Sequence, residues 1–199
     1  MSQRAVTPMS AEAFLEWGLH QELRYELVDG VPVAMAGAKQ RHDRIVGSAL
    51  GMLYNLLRGH KCRHFTADLA VRIPMGNIRR PDAGIDCGPP DDNATTAITP
   101  VFVMEVLSPS THDFDMFGKL EEYKSVPTLA HIVIVDPDTP QVFHWSRSQN
   151  EIWRHELLEG LDAVIQLPEV GGTIDLASLY EGLTFRPLPR LAREGDLSV

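Results

Sequence analysis

Glu105 lies inside Val101-Phe-Val-Met-Glu-Val-Leu, a run that otherwise reads as a strand covered on both faces. A buried carboxylate without a partner is expensive. It is tolerated when protonated, paired with a cation or bound to a metal, and the last two conditions are common at functional sites. Taken alone, Glu105 would suit a half-exposed face or a structural ion pair equally well. A second carboxylate follows Arg79-Arg80-Pro81, so Asp82 enters a strand just after a proline that fixes its approach. An Asp in that position can also simply satisfy turn amides. Two adjacent strands could set Asp82 and Glu105 side by side, where a hard divalent cation that prefers oxygen ligands would relieve their repulsion. The third candidate is Lys119, in Phe117-Gly-Lys-Leu-Glu-Glu-Tyr on the helix after the Glu105 strand, from which its amine could reach back to the strand end. A helix lysine is usually solvated. Here the polar loop Ser108-Pro-Ser-Thr-His and the thin helix surface at Gly118 favour an inward role for Lys119 over Lys124.

The elements that must position these groups follow from periodicity and turn chemistry. Ser10 is a good N-cap for a short helix carrying Phe14, Leu15 and Trp17. Asp29-Gly30 between two apolar runs signals a β-hairpin, whose second strand Pro32 restricts to a sheet edge. From His42 to Leu57, apolar residues recur at three- and four-residue steps, the mark of an amphipathic helix, and Gly59 is placed to end it. Three strand-like runs come next: Cys62 to Ile73, Asp82 to Cys87 and Val101 to Leu107. A second helix over Phe114 to Val126 precedes strands at His131 to Val135, Val142 to Trp145 and Ile152 to Glu156. A helix between strands implies a crossover and mixed pairing.

Strand-borne Pro81-Asp82 followed by Glu105-Val106-Leu107 resembles the PD-(D/E)XK nuclease motif, with Leu107 standing at its lysine position. The ordered set Tyr25-Glu-Leu-Val-Asp-Gly, His42 opening a helix, Arg80-Pro-Asp, Glu105-Val-Leu-Ser-Pro-Ser, Lys119-Leu-Glu-Glu-Tyr and Ile134-Val-Asp-Pro resembles the Uma-type endonuclease-like family, also called domain of unknown function 820. The likeness runs from about Ser10 to Phe185. That family is thought to carry its lysine on the following helix, which matches Lys119. The resemblance implies an α/β restriction-endonuclease-like core, a mixed central β-sheet flanked by helices, with an N-terminal helix and β-hairpin. It implies a metal-dependent endonuclease acting on nucleic acid, with DNA as the expected substrate. Asp82, Glu105 and the Val106 backbone carbonyl would bind Mg²⁺ or Mn²⁺, and Lys119 would orient a water or offset charge on the phosphate. Glu26 matches the family's early acidic residue, either as a further ligand or as a surface residue beside the hairpin turn. His42, Arg44, Arg80 and Ser108 are candidate substrate contacts, and for His42 a capping or packing role stands beside that one. Lys39, Arg41 and Arg79 complete a basic set that could meet phosphates. Many nucleases of the superfamily pair to address two strands, which makes a homodimer an expectation. The rival reading is a catalytically inactive module that uses the same fold to bind nucleic acid or a protein.

The composition sets the frame. The 199 residues, 44% hydrophobic and 23% charged, suit one domain, with a core over about 10–185 and a Pro-rich tail over 186–199. A formal net charge of −9 repels polyanions as a whole, so nucleic-acid contact needs a local basic face. No apolar run approaches the roughly 20 residues of a membrane span, and no signal-peptide core is present, so a cytoplasmic location is expected. There Cys62 and Cys87 would stay reduced as small core residues. His60, Cys62 and His64 alternate and would share one face of a strand, but a structural zinc site needs a fourth ligand. No Gly-x-Ser-x-Gly, phosphate-loop or dinucleotide fingerprint is present, and 7% aromatic residues is too few for a sugar cleft.

Overall fold

The computed structural model of the chain describes residues 8–108, 118–147 and 152–185. Helix α1 (Ala11–Gly18) starts at Ser10, whose hydroxyl accepts the Ala13 N–H and so satisfies one of the orphan donors of the first turn. Its Phe14 and Leu15 are buried. Asp29 and Gly30 take positive φ values of 50° and 79°, the left-handed geometry of a two-residue hairpin turn, and join β1 (Tyr25–Val28) to β2 (Val31–Ala34). Pro32 sits in β2, at the edge of a four-stranded sheet ordered β2-β1-β5-β4, where its missing N–H breaks no inner ladder. In this sheet β4 is Val71–Arg72 and β5 is Ile78–Arg79.

Helix α2 (Gln40–Leu56) buries Ile45, Ala49 and Leu53 along the stripe that the periodicity requires, and Gly59 takes φ 78° just beyond its end. It packs on a six-stranded sheet ordered β10-β9-β8-β7-β6-β3. These strands are β3 (Arg63–Thr66), β6 (Ala83–Asp86), β7 (Pro100–Val106), β8 (His131–Asp136), β9 (Gln141–Arg147) and β10 (Trp153–Glu159). Among the described strands of this sheet only β7 and β8 pair in parallel, and the connection between them carries α3 (Leu120–Lys124). Because β7 is central, both its faces are dry. Phe102, Met104 and Val106 join the core under α2, whereas Val103 joins Leu120, Tyr123 and Ile132 under α3. A small hairpin of β11 (Val164–Leu167) and β12 (Gly172–Asp175), followed by α4 (Leu176–Leu179), closes the α2 side. The expected mixed α/β architecture, with a helix crossover in a mixed sheet, is present.

Three expectations need correction. The run Cys62 to Ile73 is two strands, β3 in one sheet and β4 in the other, because alternation marks extended backbone without saying which partner it will meet. The two-residue β5 was unforeseen, since so short an element leaves no periodicity. Cys62 and Cys87 form a disulfide, with Cα atoms 4.0 Å apart. The pairing Arg63↔Asp86 places these two cysteines opposite each other one step farther along β3 and β6, a juxtaposition that a separation of 25 residues does not announce. It also removes Cys62 from any zinc set with His60 and His64. Of the expected helix over Phe114 to Val126, residues 114–117 lie outside the described residues, as does the tail 186–199. Among the described residues no helix is long and apolar enough to cross a membrane.

Candidate active site

Pro81 is buried and delivers Asp82 to the start of β6. Ala83 pairs with Met104, so the next step along the antiparallel ladder sets Asp82 across from Glu105. The contact follows: Asp82 Oδ2 accepts the Val106 N–H at 2.8 Å. The same oxygen stands 3.1 Å from His42 Nε2, which reaches over from the first turn of α2. Glu105 alternates with Met104 and Val106 and therefore points to the opposite face, towards α3. There the Tyr123 hydroxyl donates to Glu105 Oε1 at 2.7 Å, and Lys119 Nζ lies 3.4 Å from the same oxygen. Lys119 also stands 3.2 Å from Oε1 of Glu26, which projects from β1. The backbone N–H of Arg80 donates to that Glu26 oxygen at 2.9 Å. Two sheets and two helices thus converge on a cluster in which Glu26, Glu105 and Lys119 are each less than a tenth exposed.

The electrostatics follow from this crowding. Burial pushes the Glu105 carboxyl up to about 8, and the Asp82 and Glu26 charges push the same way, while the Lys119 ammonium and the Tyr123 hydrogen bond pull back. Burial also drives Tyr123 well above its ordinary value, reinforced by the charges of Glu105 and Glu26. Burial alone would lower His42. The Asp82 hydrogen bond and charge, with Glu105 and Asp43 behind them, outweigh it and raise His42 above 6.5. The charge misfit at Glu105 is therefore one of burial first, to which the Asp82 and Glu26 carboxylates add.

A family model described as "Uma2: Putative restriction endonuclease" matches residues 11–177. The chain belongs to the Uma2 family. It is 30% identical over 179 residues to a Synechocystis sp. protein named "Uncharacterized protein slr1290", an alignment covering 89% of this chain and 94% of that protein. A second Synechocystis protein, "Uncharacterized protein sll1609", is 25% identical over 162 residues, 79% of this chain and 92% of that one. A crystal structure described as "a putative nuclease belonging to DUF820 from Anabaena variabilis" superposes with a TM-score of 0.71 at 19% identity, covering 87% of this chain and 98% of that one. At that identity the likeness shows the fold.

For this Uma2 chain the structure brings Asp82, Glu105, Lys119, Glu26, His42 and the Val106 backbone to one place. The side chains of Arg80 and Arg44 are engaged elsewhere. The Arg80 guanidinium donates to the carbonyls of Tyr25, Ala67 and Asp68, and Arg44 donates to the carbonyl of Gly182. Ser108 is half-buried just past β7. Arg79 corrects its expectation outright: far from meeting a phosphate, it is 2% exposed between Glu26 and Glu122. The residues missed at the sequence level are Tyr123 and Glu122. Both follow Lys119 at helical spacing, four and three residues on, which was the signal that could have found them.

Among the described residues no three His, Cys, Asp or Glu side chains form a metal-holding group by themselves. Asp82 and Glu105, with the Val106 backbone beside them, supply two carboxylates and all-oxygen chemistry. That suits Mg²⁺ or Mn²⁺, since Mg²⁺ keeps several waters and binds through one or two carboxylates. A Glu105 carboxylate in chronic charge misfit is the kind of group a cation would relieve.

Proposed function

We propose that this chain is a metal-dependent endonuclease that hydrolyses phosphodiester bonds of nucleic acid, with DNA as its substrate and a homodimer as its working form. The observation that carries the reading is the convergence of Asp82, Glu105 and Lys119 from two adjacent strands and a helix into one buried cluster. Membership of a family described as "Putative restriction endonuclease" supports it. In this reading Asp82, Glu105 and the Val106 carbonyl hold Mg²⁺ or Mn²⁺. Bound there, the ion would polarise the phosphodiester and lower the pKa of a water.

The protein's own groups have separable tasks. His42 and the Val106 N–H hold Asp82 Oδ2 from two sides, which fixes that carboxylate's direction. The Tyr123 hydroxyl does the same for Glu105 Oε1. Lys119 presents a positive charge where negative charge grows on the phosphate, and burial makes that charge act through little water. The net charge of −9 confines substrate attraction to local basic residues; Lys39 stands at the N-cap of α2, whereas Arg41 and Arg44 in its first turns are held by the carbonyls of Thr184 and Gly182.

Cleavage of plasmid and short oligonucleotides with Mg²⁺ and Mn²⁺ tests the reading, with wild type, Glu105→Gln and Lys119→Ala prepared in parallel. Activity in wild type alone supports it. Equal residual cleavage in all three, or none on any substrate, would transfer the assignment to a non-catalytic binding module. Sedimentation of wild type tests the dimer separately, and a monomer at all concentrations removes it.

A further inference from the structure

We infer that the pair of buried Arg79 with half-buried Glu122 is a positioning device that sets where Lys119 stands relative to Glu105, an inference that rests on the proposed nuclease chemistry for its purpose. Lys119 lies in the helical turn that leads into α3, whose described residues, 118–124, span under two turns and depend on tertiary contacts for their placement. A lysine on a flexible four-carbon stem finds a strand-borne carboxylate only if its helix is fixed against the strands. Leu120 and Tyr123 bury that helix in the apolar layer, but apolar contact is non-directional and sets depth better than register.

Glu122, three residues beyond Lys119, supplies the direction. Its two oxygens accept Nε and Nη2 of Arg79 at 2.6 and 2.7 Å, a two-pronged match of guanidinium to carboxylate. The third prong, Nη1, donates to Glu26 Oε2 at 3.1 Å, and the other Glu26 oxygen is the one 3.2 Å from Lys119. Asn77 adds a bond from Nδ2 to Glu122 at 2.9 Å, and its own Oδ1 is held by the Asp29 N–H of the hairpin turn at 2.8 Å. A closed ring results: Lys119 to Glu26, Glu26 to Arg79, Arg79 to Glu122, and back along the helix to Lys119. One guanidinium on β5 thereby ties the lysine's helix to the four-stranded sheet and braces Glu26, its second carboxylate, from the neighbouring strand. Burying such an ion pair is a poor source of stability, because desolvation consumes most of the attraction. Its presence here is accounted for by geometry: it gives a helix-borne lysine the placement that a lysine on the Glu105 strand would have without it.

The test reads Lys119 directly. Native, metal-free protein is treated with limiting acetic anhydride, and acylation of Lys119 is followed by peptide mass spectrometry, with Lys39 and Lys61, which lie off that helix, as references. Arg79→Lys, which loses the fork, and Glu122→Gln, which loses its charge, are expected to speed Lys119 acylation about tenfold while the reference lysines hold their rates. Asn77→Ala removes one bond to Glu122 and guards against loss of fold in the other two; it is expected to shift the same lysine in the same direction by a smaller factor. Lys119 rates within about twofold of wild type in all folded variants overturn the inference. In parallel cleavage assays kcat is expected to fall with KM unchanged. Absence of cleavage in wild type would overturn the nuclease reading alone, since acylation reports the lysine's placement without it.

Discussion

Replacing Glu105 by Gln should make the metal-free protein more stable at alkaline pH while removing a carboxylate that the proposed cleavage requires. Burial and two neighbouring carboxylates lift Glu105 from 4.5 to about 8 in the folded chain. Unfolding returns it to the ordinary value. Between those limits the folded protein holds a proton that the unfolded chain has released, so stability falls as pH rises, beginning above the unfolded value and finishing above the folded one. At about 1.4 kcal/mol per tenfold change in proton affinity, the whole displacement corresponds to about 5 kcal/mol, of which about 4 kcal/mol falls between pH 5 and pH 9. That is a large share of a typical folding free energy. Gln keeps the size and an acceptor for Tyr123 but does not titrate, and Lys119 retains Glu26 as its counter-ion. Urea unfolding of both proteins in chelator, across that pH range, should show their difference widening by about 4 kcal/mol in favour of Glu105→Gln. The other histidines titrate alike in both, so the difference reports Glu105 together with the smaller change it makes at His42. Curves that run parallel would refute the charge-misfit argument, and with it the reason given for a cation at this carboxylate. Adding Mg²⁺ at pH 8 should then stabilise wild type in proportion to ligand excess and leave Glu105→Gln unmoved.

Further outcomes follow from other contacts. His42 is raised because Asp82 outweighs its burial, so its contribution to stability is full below its unfolded value and lost as pH rises through the folded one. In Asp82→Asn the His42 ring protons should titrate at lower pH by NMR, and an unchanged midpoint would deny the pair its role. The Cys62–Cys87 bond closes a loop across 25 residues, and chain-entropy arguments give about 3 kcal/mol for it. Cys62→Ser with Cys87→Ser should lower Tm by about 10 °C against non-reducing wild type, and reductant should then make no further difference. A Cβ on Gly84 would stand 2.1 Å from the Phe65 ring, which lies across β6 from the neighbouring strand. Gly84→Ala should destabilise by about 2 kcal/mol, and Phe65→Leu added to it should recover part of the loss in denaturant titrations.

Much of the positioning framework was legible residue by residue. Ser10 announced a helix start, Asp29-Gly30 a hairpin turn, Pro32 an edge strand, and the Ile45, Ala49 and Leu53 spacing a buried helix face, because each signal depends only on neighbours in the chain. The anomaly of Glu105 in an apolar strand was likewise local, as was the entry of Asp82 behind a proline. Their meeting was not. It required the antiparallel register of β6 against β7, set by which side chains the two faces of the sheet could bury. Arg79 shows the limit most clearly: in sequence it is one of several basic residues near a motif, and only the packing of α3 against the four-stranded sheet turned it inward between Glu26 and Glu122. The disulfide has the same origin, since opposite positions on paired strands cannot be read from a spacing of 25. Residue types and short spacings therefore determined which chemistry the chain could carry. Long-range pairing decided which of those groups share a site, because burial and charge compensation are properties of neighbours in space.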